Sequence, residues 1–164
     1  MPLSAVSIEL KRRDWGGYRC GCGDTADHLV ETFKRLLYAE VPEDVVDYGL
    51  DGHVEIQSML FEVALPATSL IMAALMEDLP AFVRAHFLVT LLRIVSGESH
   101  SSEVEAGNGD LQEECIDSAR EGLWLLYREA MSGDTQNAID ILEFIDFDED
   151  RLDFYKSEVR SRMD

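Results

Sequence analysis

Basic residues are scarce: 14 Lys and Arg stand against 33 Asp and Glu, a formal net charge of −19 over 164 residues. Gripping nucleic acid or an anionic membrane needs clustered Lys and Arg at the phosphates, so neither is expected as a partner. Cysteine is limited to Cys20, Cys22 and Cys115, an odd count with the first two one residue apart. That excludes a disulfide framework and fits reduced thiols in a cytoplasmic protein. Four prolines and eleven glycines are too few for a disordered or low-complexity chain. The longest apolar run, Met59 to Leu75, is broken by Glu62 and Pro66 and is shorter than a membrane span requires. At the N-terminus the basic residues follow the mildly apolar stretch, the reverse of a signal peptide. Also missing are a Gly-rich phosphate loop, a G-x-S-x-G elbow and histidines paired at metal spacing; His28, His53, His86 and His100 are scattered. The expectation is one cytoplasmic, unanchored domain over residues 1–164 that is not an enzyme and needs no cofactor.

What is present is an apolar block from His53 to Gly97. Pro66 and Pro80 each stand where a helix can begin, which predicts three successive helices. The last runs from about Pro80 to Ser96, is apolar over more than one face and is closed by Gly97 as a left-handed cap. It is read as the buried spine of an all-α domain. Before it, Val6, Ile8 and Leu10 alternate with polar neighbours, so residues 1–23 are read as an irregular arm with a short strand or extended segment. Trp15 and Tyr18 are read as lids over the first helix. That helix follows Asp24 or Thr25 and carries Leu29, Val30, Phe33, Leu36 and Leu37 to about Ala39; residues 40–52 form a turn region around Pro42. Residues 98–109, ESHSSEVEAGNG, lack periodicity and are read as a surface loop. A long helix is expected from Asp110 to Gly133 with Trp124 and Tyr127 in the core. Another follows from Asp134 burying Ala138, Ile141, Leu142 and Ile145, and a last from about Asp148 to Arg162 with Leu152, Phe154, Tyr155 and Val159 along its stripe. Six to eight helices with short turns suit a stack of antiparallel helix pairs, or else an irregular bundle.

The segments HVEIQSMLFEVALPATSLIMAAL, PAFVRAHFLVTLLRIVSGE and ECIDSAREGLWLLYREAMSGDTQNAIDILEFI resemble bacterial proteins built from degenerate HEAT-like helical repeats. The resemblance covers roughly Trp15 to Ile145 and is carried by apolar spacing; the CGCG segment departs from it. It implies a short HEAT-like stack. Small acidic members of that group include candidate immunity proteins, which bind and block a cognate toxin domain.

The acids are distributed in single-sign tracts. No Lys or Arg lies between Arg35 and Arg84, where nine acids occur, nor between Arg93 and Arg120, where seven occur; Asp134 to Asp150 carries seven more. Like charges this close repel, so a merely solvating surface more often mixes the signs. Asp24, Asp110, Asp134 and Asp148 have a local use as helix starts. The remaining excess makes a negative field suited to a basic protein, and a toxin or nuclease domain with a basic cleft is the partner class expected. Glu113, Glu114, Asp117, Glu143, Asp146, Asp148, Glu149 and Asp150 are the candidate contacts.

The competing function is a metal- or small-ligand-binding regulator built on the Cys20/Cys22 loop. Cys20, Cys22 and His28 lie close in sequence, and His53 or Cys115 could complete a tetrahedral site. Against this, C-x-C is tighter than the common zinc hairpins and no second cysteine pair exists, so no metal ligand is assigned. His53, near Gln57, is read as a residue that caps or packs between repeats. Asp146, Asp148 and Asp150 alternate as in a calcium loop, but Arg151 stands where that loop needs glycine.

Overall fold

The computed structural model describes residues 3–163, the last in its backbone only, so the start of the expected arm at Met1 and Pro2 lies outside them. The fold is all-α. Among the described residues there are nine α-helices: α1 (Ala5–Arg12), α2 (Leu29–Tyr38), α3 (Ala64–Ala74), α4 (Ala81–Val95), α5 (Ser101–Glu105), α6 (Leu111–Arg120), α7 (Leu123–Ser132), α8 (Thr135–Ile145) and α9 (Glu149–Met163). Short 3₁₀ turns cover Trp15–Gly17, Ala26–His28 and Pro42–Val45. One small sheet holds β1 (Glu55–Ile56), β2 (Met59–Leu60) and β3 (Glu98–Ser99). Among the described residues, no helix is long and apolar enough to cross a membrane.

Helix α4 is the spine the sequence predicts. Val83, Phe87, Leu88, Leu91, Ile94 and Val95 are buried, and α3, α6 and α8 pack around it. Phe87 stacks on Phe33 of α2, which in turn packs on the buried Trp15. This aromatic line fastens the N-terminal arm to the spine. Arg84 ties the elements together polarly: it donates to the carbonyls of Leu75 and Glu77 beyond α3 and to Glu129 of α7.

Five expectations are corrected. The arm contains a helix rather than a strand, because Ser4 and Ser7 form a reciprocal capping box and Val6 and Leu10, four apart, are the buried pair while Ile8 is exposed. The first of the three central helices is instead a hairpin, β1–β2, turning through Gln57 and Ser58, both at positive φ. That turn is held by the Ser58 amide donating to Glu55 Oε2 and by the Glu98 amide donating to the Ser58 carbonyl. Pro66 is the third residue of α3, where its missing N–H costs nothing. Gly97 is not a left-handed cap; a Cβ there would lie 2.4 Å from the Ser58 carbonyl oxygen, so glycine permits the close approach of α4's end to the hairpin. The helix expected from Asp110 to Gly133 is broken into α6 and α7 at Gly122, where a Cβ would lie 2.4 Å from Met72 Cε. Residues 98–109 carry β3 and α5 rather than a bare loop.

Charged contacts also tie α1 to α3. Glu9 accepts from Arg12 at 2.7 and 2.8 Å and from Ser69 Oγ at 2.8 Å. The Arg12 hydrogen bonds lead in pulling its carboxyl down from the ordinary 4.5 to about 2, burial opposes them, and the Ser69 hydroxyl helps. A lowered carboxyl stabilises the fold fully above its unfolded pKa, and that contribution is lost as the pH falls through the folded one. The stability gap between wild type and Glu9→Gln should therefore be full at neutral pH and close as the pH falls from 4.5 to about 2. Urea unfolding of both proteins across that range reads it; a gap independent of pH would show that the Glu9 charge contributes nothing.

Candidate functional site

Seven of the eight acids expected to contact a partner are exposed: Glu113, Glu114, Asp117, Glu143, Asp148, Glu149 and Asp150. Asp146 is not available. Its side chain is 1% exposed and sits in a buried network, accepting from Tyr127 Oη at 2.5 Å, from Arg151 Nη2 and Nε at 2.6 and 2.9 Å and from the Asp148 amide at 3.0 Å. The Arg151 bonds hold its carboxyl far below the usual range against the cost of burial, with the Tyr127 hydroxyl adding to them. Burial, followed by the Asp146 hydrogen bond and charge, pushes the Tyr127 hydroxyl up. Arg151, which occupies the glycine position of a calcium loop, is the cation that claims Asp146. Of the acids expected at helix starts, Asp134 and Asp148 accept from the amides of Asn137 and Arg151; Asp110 holds the cap position without a side-chain bond, and Thr25 rather than Asp24 precedes the Ala26–His28 turn.

Aromatic residues stand among the exposed acids. Phe147 is 65% exposed, Trp124 59% and Phe144 39%. Trp124 is thus corrected from core to surface, and Phe154, expected on the apolar stripe of α9, is also exposed. Phe144, Phe147, Glu143, Glu149, Asp153 and Lys156 line one open depression, and Lys156 pairs with Glu143 at its edge. Guanidinium groups already rest on this patch: Arg120 lies 4.0 Å from the Phe147 ring centroid and Arg151 5.4 Å from that of Trp124. Glu113, Asp117 and Arg120 follow at helical spacing along α6, which carries the acidic rim up to Phe147. The signal for the missed aromatics was present in α8, whose buried stripe of Ala138, Ile141, Leu142 and Ile145 leaves Phe144 off it.

A second constellation lies at the other end of the chain. Cys20, Cys22, His28 and His53 present four ligand atoms that all lie within 4.8 Å of one another. Cys20 Sγ is 3.2 Å from His53 Nδ1 and 3.7 Å from His28 Nε2; Cys22 Sγ is 3.7 Å from His28 Nε2; the two histidine nitrogens are 3.2 Å apart. His53, not Cys115, joins the group; Cys115 is fully buried on α6, where burial pushes its thiol up to about 12.

Local backbone makes the cluster. Cys20 to Gly23 is a tight turn closed by the Gly23 amide on the Cys20 carbonyl, flanked by the Cys20 amide on Asp24 and an antiparallel bridge between Arg19 and Thr25. Gly23, at φ +96°, turns the chain toward the helix start that places His28. The turn is laid against residues 52–53 by the Gly21 amide donating to the His53 carbonyl at 2.7 Å. Arg19 is anchored by Glu103, 1% exposed on α5, at 2.8 and 2.9 Å, and by Glu62. A Cβ on Gly21 would lie 2.8–2.9 Å from Gly52 O, His53 O and Phe61 Cε2, two of them backbone atoms. Gly21→Ala is therefore expected to lower stability by about 1–3 kcal/mol. Chemical denaturation reads the change, and an unaltered midpoint would contradict the close approach.

Burial pushes the Cys20 thiol up to about 12, with the backbone N–H groups of Cys22 and Gly21 pulling the other way. Burial, with His28 beside it, lowers His53, which favours the neutral imidazole that can act as a ligand. No family model matches the chain, and neither curated proteins nor solved structures provide a match. The likeness to HEAT-like repeats accordingly rests on the sequence alone.

Proposed function

We propose that the chain is a protein-binding inhibitor of the immunity type, which occupies the basic cleft of a toxin or nuclease domain with its C-terminal acidic face. The observation that carries this reading is the exposure of Phe144 and Phe147 in a depression lined by Glu143, Glu149 and Asp153, with Trp124 also exposed beneath Arg151. Large aromatics at a surface are the usual anchors of an interface, and charge around them steers and selects the partner. Arg120 and Arg151 on the rings of Phe147 and Trp124 illustrate how arginines of a partner would seat there.

The test is capture of partners from the source cells by the tagged protein at low salt, with elution as salt is raised. Wild type should retain one basic protein. The Glu143→Lys/Glu149→Lys/Asp150→Lys variant should lose it, and Phe147→Ala should weaken it about tenfold, the effect of losing a central aromatic anchor. Retention of the same protein at the same salt by all three would remove this face from the interface. The second reading, a regulator built on the Cys20/Cys22 loop, is favoured by the Cys/His cluster and turns on whether that cluster takes a metal.

A further inference from the structure

We propose that Cys20, Cys22, His28 and His53 bind one zinc ion as a closed, four-ligand structural centre. Zinc–sulfur and zinc–nitrogen bonds of about 2.3 and 2.05 Å, set tetrahedrally, place sulfur and nitrogen about 3.5 Å apart and two nitrogens about 3.3 Å apart. Three of the four sulfur–nitrogen separations are 3.2–3.7 Å and the nitrogen–nitrogen separation is 3.2 Å, with every pair in the set within 4.8 Å. Packing alone has no reason to aim two imidazole nitrogens and two sulfurs at one point. A mixed Cys/His set at one tetrahedron is the donor chemistry of zinc. A two-iron cluster is a poorer fit, since it holds its cysteines and its histidines on separate irons and would part the pairs that here interleave.

The charge balances. Two thiols release their protons to solvent as the dication binds, and two thiolates, two neutral imidazoles and Zn²⁺ make a neutral centre. The inner side of the cluster is closed by the buried Cys20, while Cys22, His28 and His53 face an open depression lined also by Gly23, Asp24, Thr25 and Asp27. The ion thus has an entry path. With four protein ligands there is no vacant position for a substrate, so the centre clamps rather than catalyses. It joins the C-x-C turn, the start of α2 and the approach to the β1–β2 hairpin, and Cys20 and His53 lie 33 residues apart in sequence. This assignment is independent of the partner proposed above, and either can fail without the other.

The full-length protein, purified without chelator, is assayed for metals by plasma mass spectrometry. About one zinc per chain is expected, the stoichiometry of a single tetrahedral site. Cys22→Ser, whose side chain is exposed, should keep the helical circular dichroism and lose most of the zinc, and Cys115→Ser should retain it. Should Cys22→Ser fail to fold, the cobalt-substituted wild type still reports: thiolate-to-cobalt charge-transfer bands with intense tetrahedral d–d bands are expected. A folded wild type with no zinc and no thermal stabilisation on adding zinc would overturn the proposal. So would iron or copper in place of zinc, octahedral cobalt spectra, or full zinc retention by Cys22→Ser.

Discussion

Asp146→Ala is expected to lower stability by about 3 kcal/mol, far more than any of its exposed acidic neighbours, because it breaks a buried charge network rather than a surface one. The fully buried Tyr127 would lose its hydroxyl's partner, the Asp148 amide would lose an acceptor, and Arg151 would lose both of its bonds to the carboxylate. Arg151 is 30% exposed and can turn to water, which keeps the cost below that of a fully sealed pair. Asp148→Ala removes one helix-start acceptor, for the Arg151 amide, and should cost about 1 kcal/mol. Urea unfolding of the two variants separates them; equal costs would show that Asp146 is an ordinary surface acid. The comparison bears on function too, since the network fixes the start of α9 and with it the position of Phe147 and Glu149.

Phe33→Ala is expected to cost about 3–5 kcal/mol, the range for emptying a fully buried aromatic site. Phe33 is the middle of the line Trp15–Phe33–Phe87, with ring centroids 5.3 and 6.3 Å apart, and it joins the N-terminal arm to the spine helix. Trp15 is additionally tethered by its indole N–H on the Leu10 carbonyl at 2.9 Å. Phe33→Leu should cost less than half as much. Tryptophan fluorescence and circular dichroism followed together through unfolding check this: a small change for Phe33→Ala would mean that the arm is held by other contacts.

The parts of the fold legible in the sequence are those where one local signal agrees with the burial it leads to. Helix α8 has an Asp134 cap and a stripe at i, i+3, i+4 and i+7, and all four predicted residues are buried. Helix α4 lies within one residue of its expected ends. The illegible parts are set by contacts distant in sequence. The hairpin turn at Gln57 and Ser58 uses positive φ at residues that carry no glycine or asparagine signal, inside an apolar stretch that reads equally well as helix. The break at Gly122 falls where Met72, fifty residues earlier, packs against the backbone, a contact that no local signal announces. At the Cys/His cluster three ligands were visible within nine residues, but His53 enters only through the backbone contact that Gly21 allows. At the acidic face, composition showed the charge and could not show that Asp146 is sequestered, since its acceptor role depends on Tyr127 nineteen residues away.

The measurement that tests the central claim most directly is the activity of the captured basic partner, as nuclease cleavage or as growth arrest of cells producing it, titrated with this chain. Wild type should abolish that activity at equimolar ratio, and the Glu143→Lys/Glu149→Lys/Asp150→Lys variant, equally folded, should leave it intact. Undiminished partner activity in saturating wild-type protein would contradict the inhibitor function, whatever the strength of the complex.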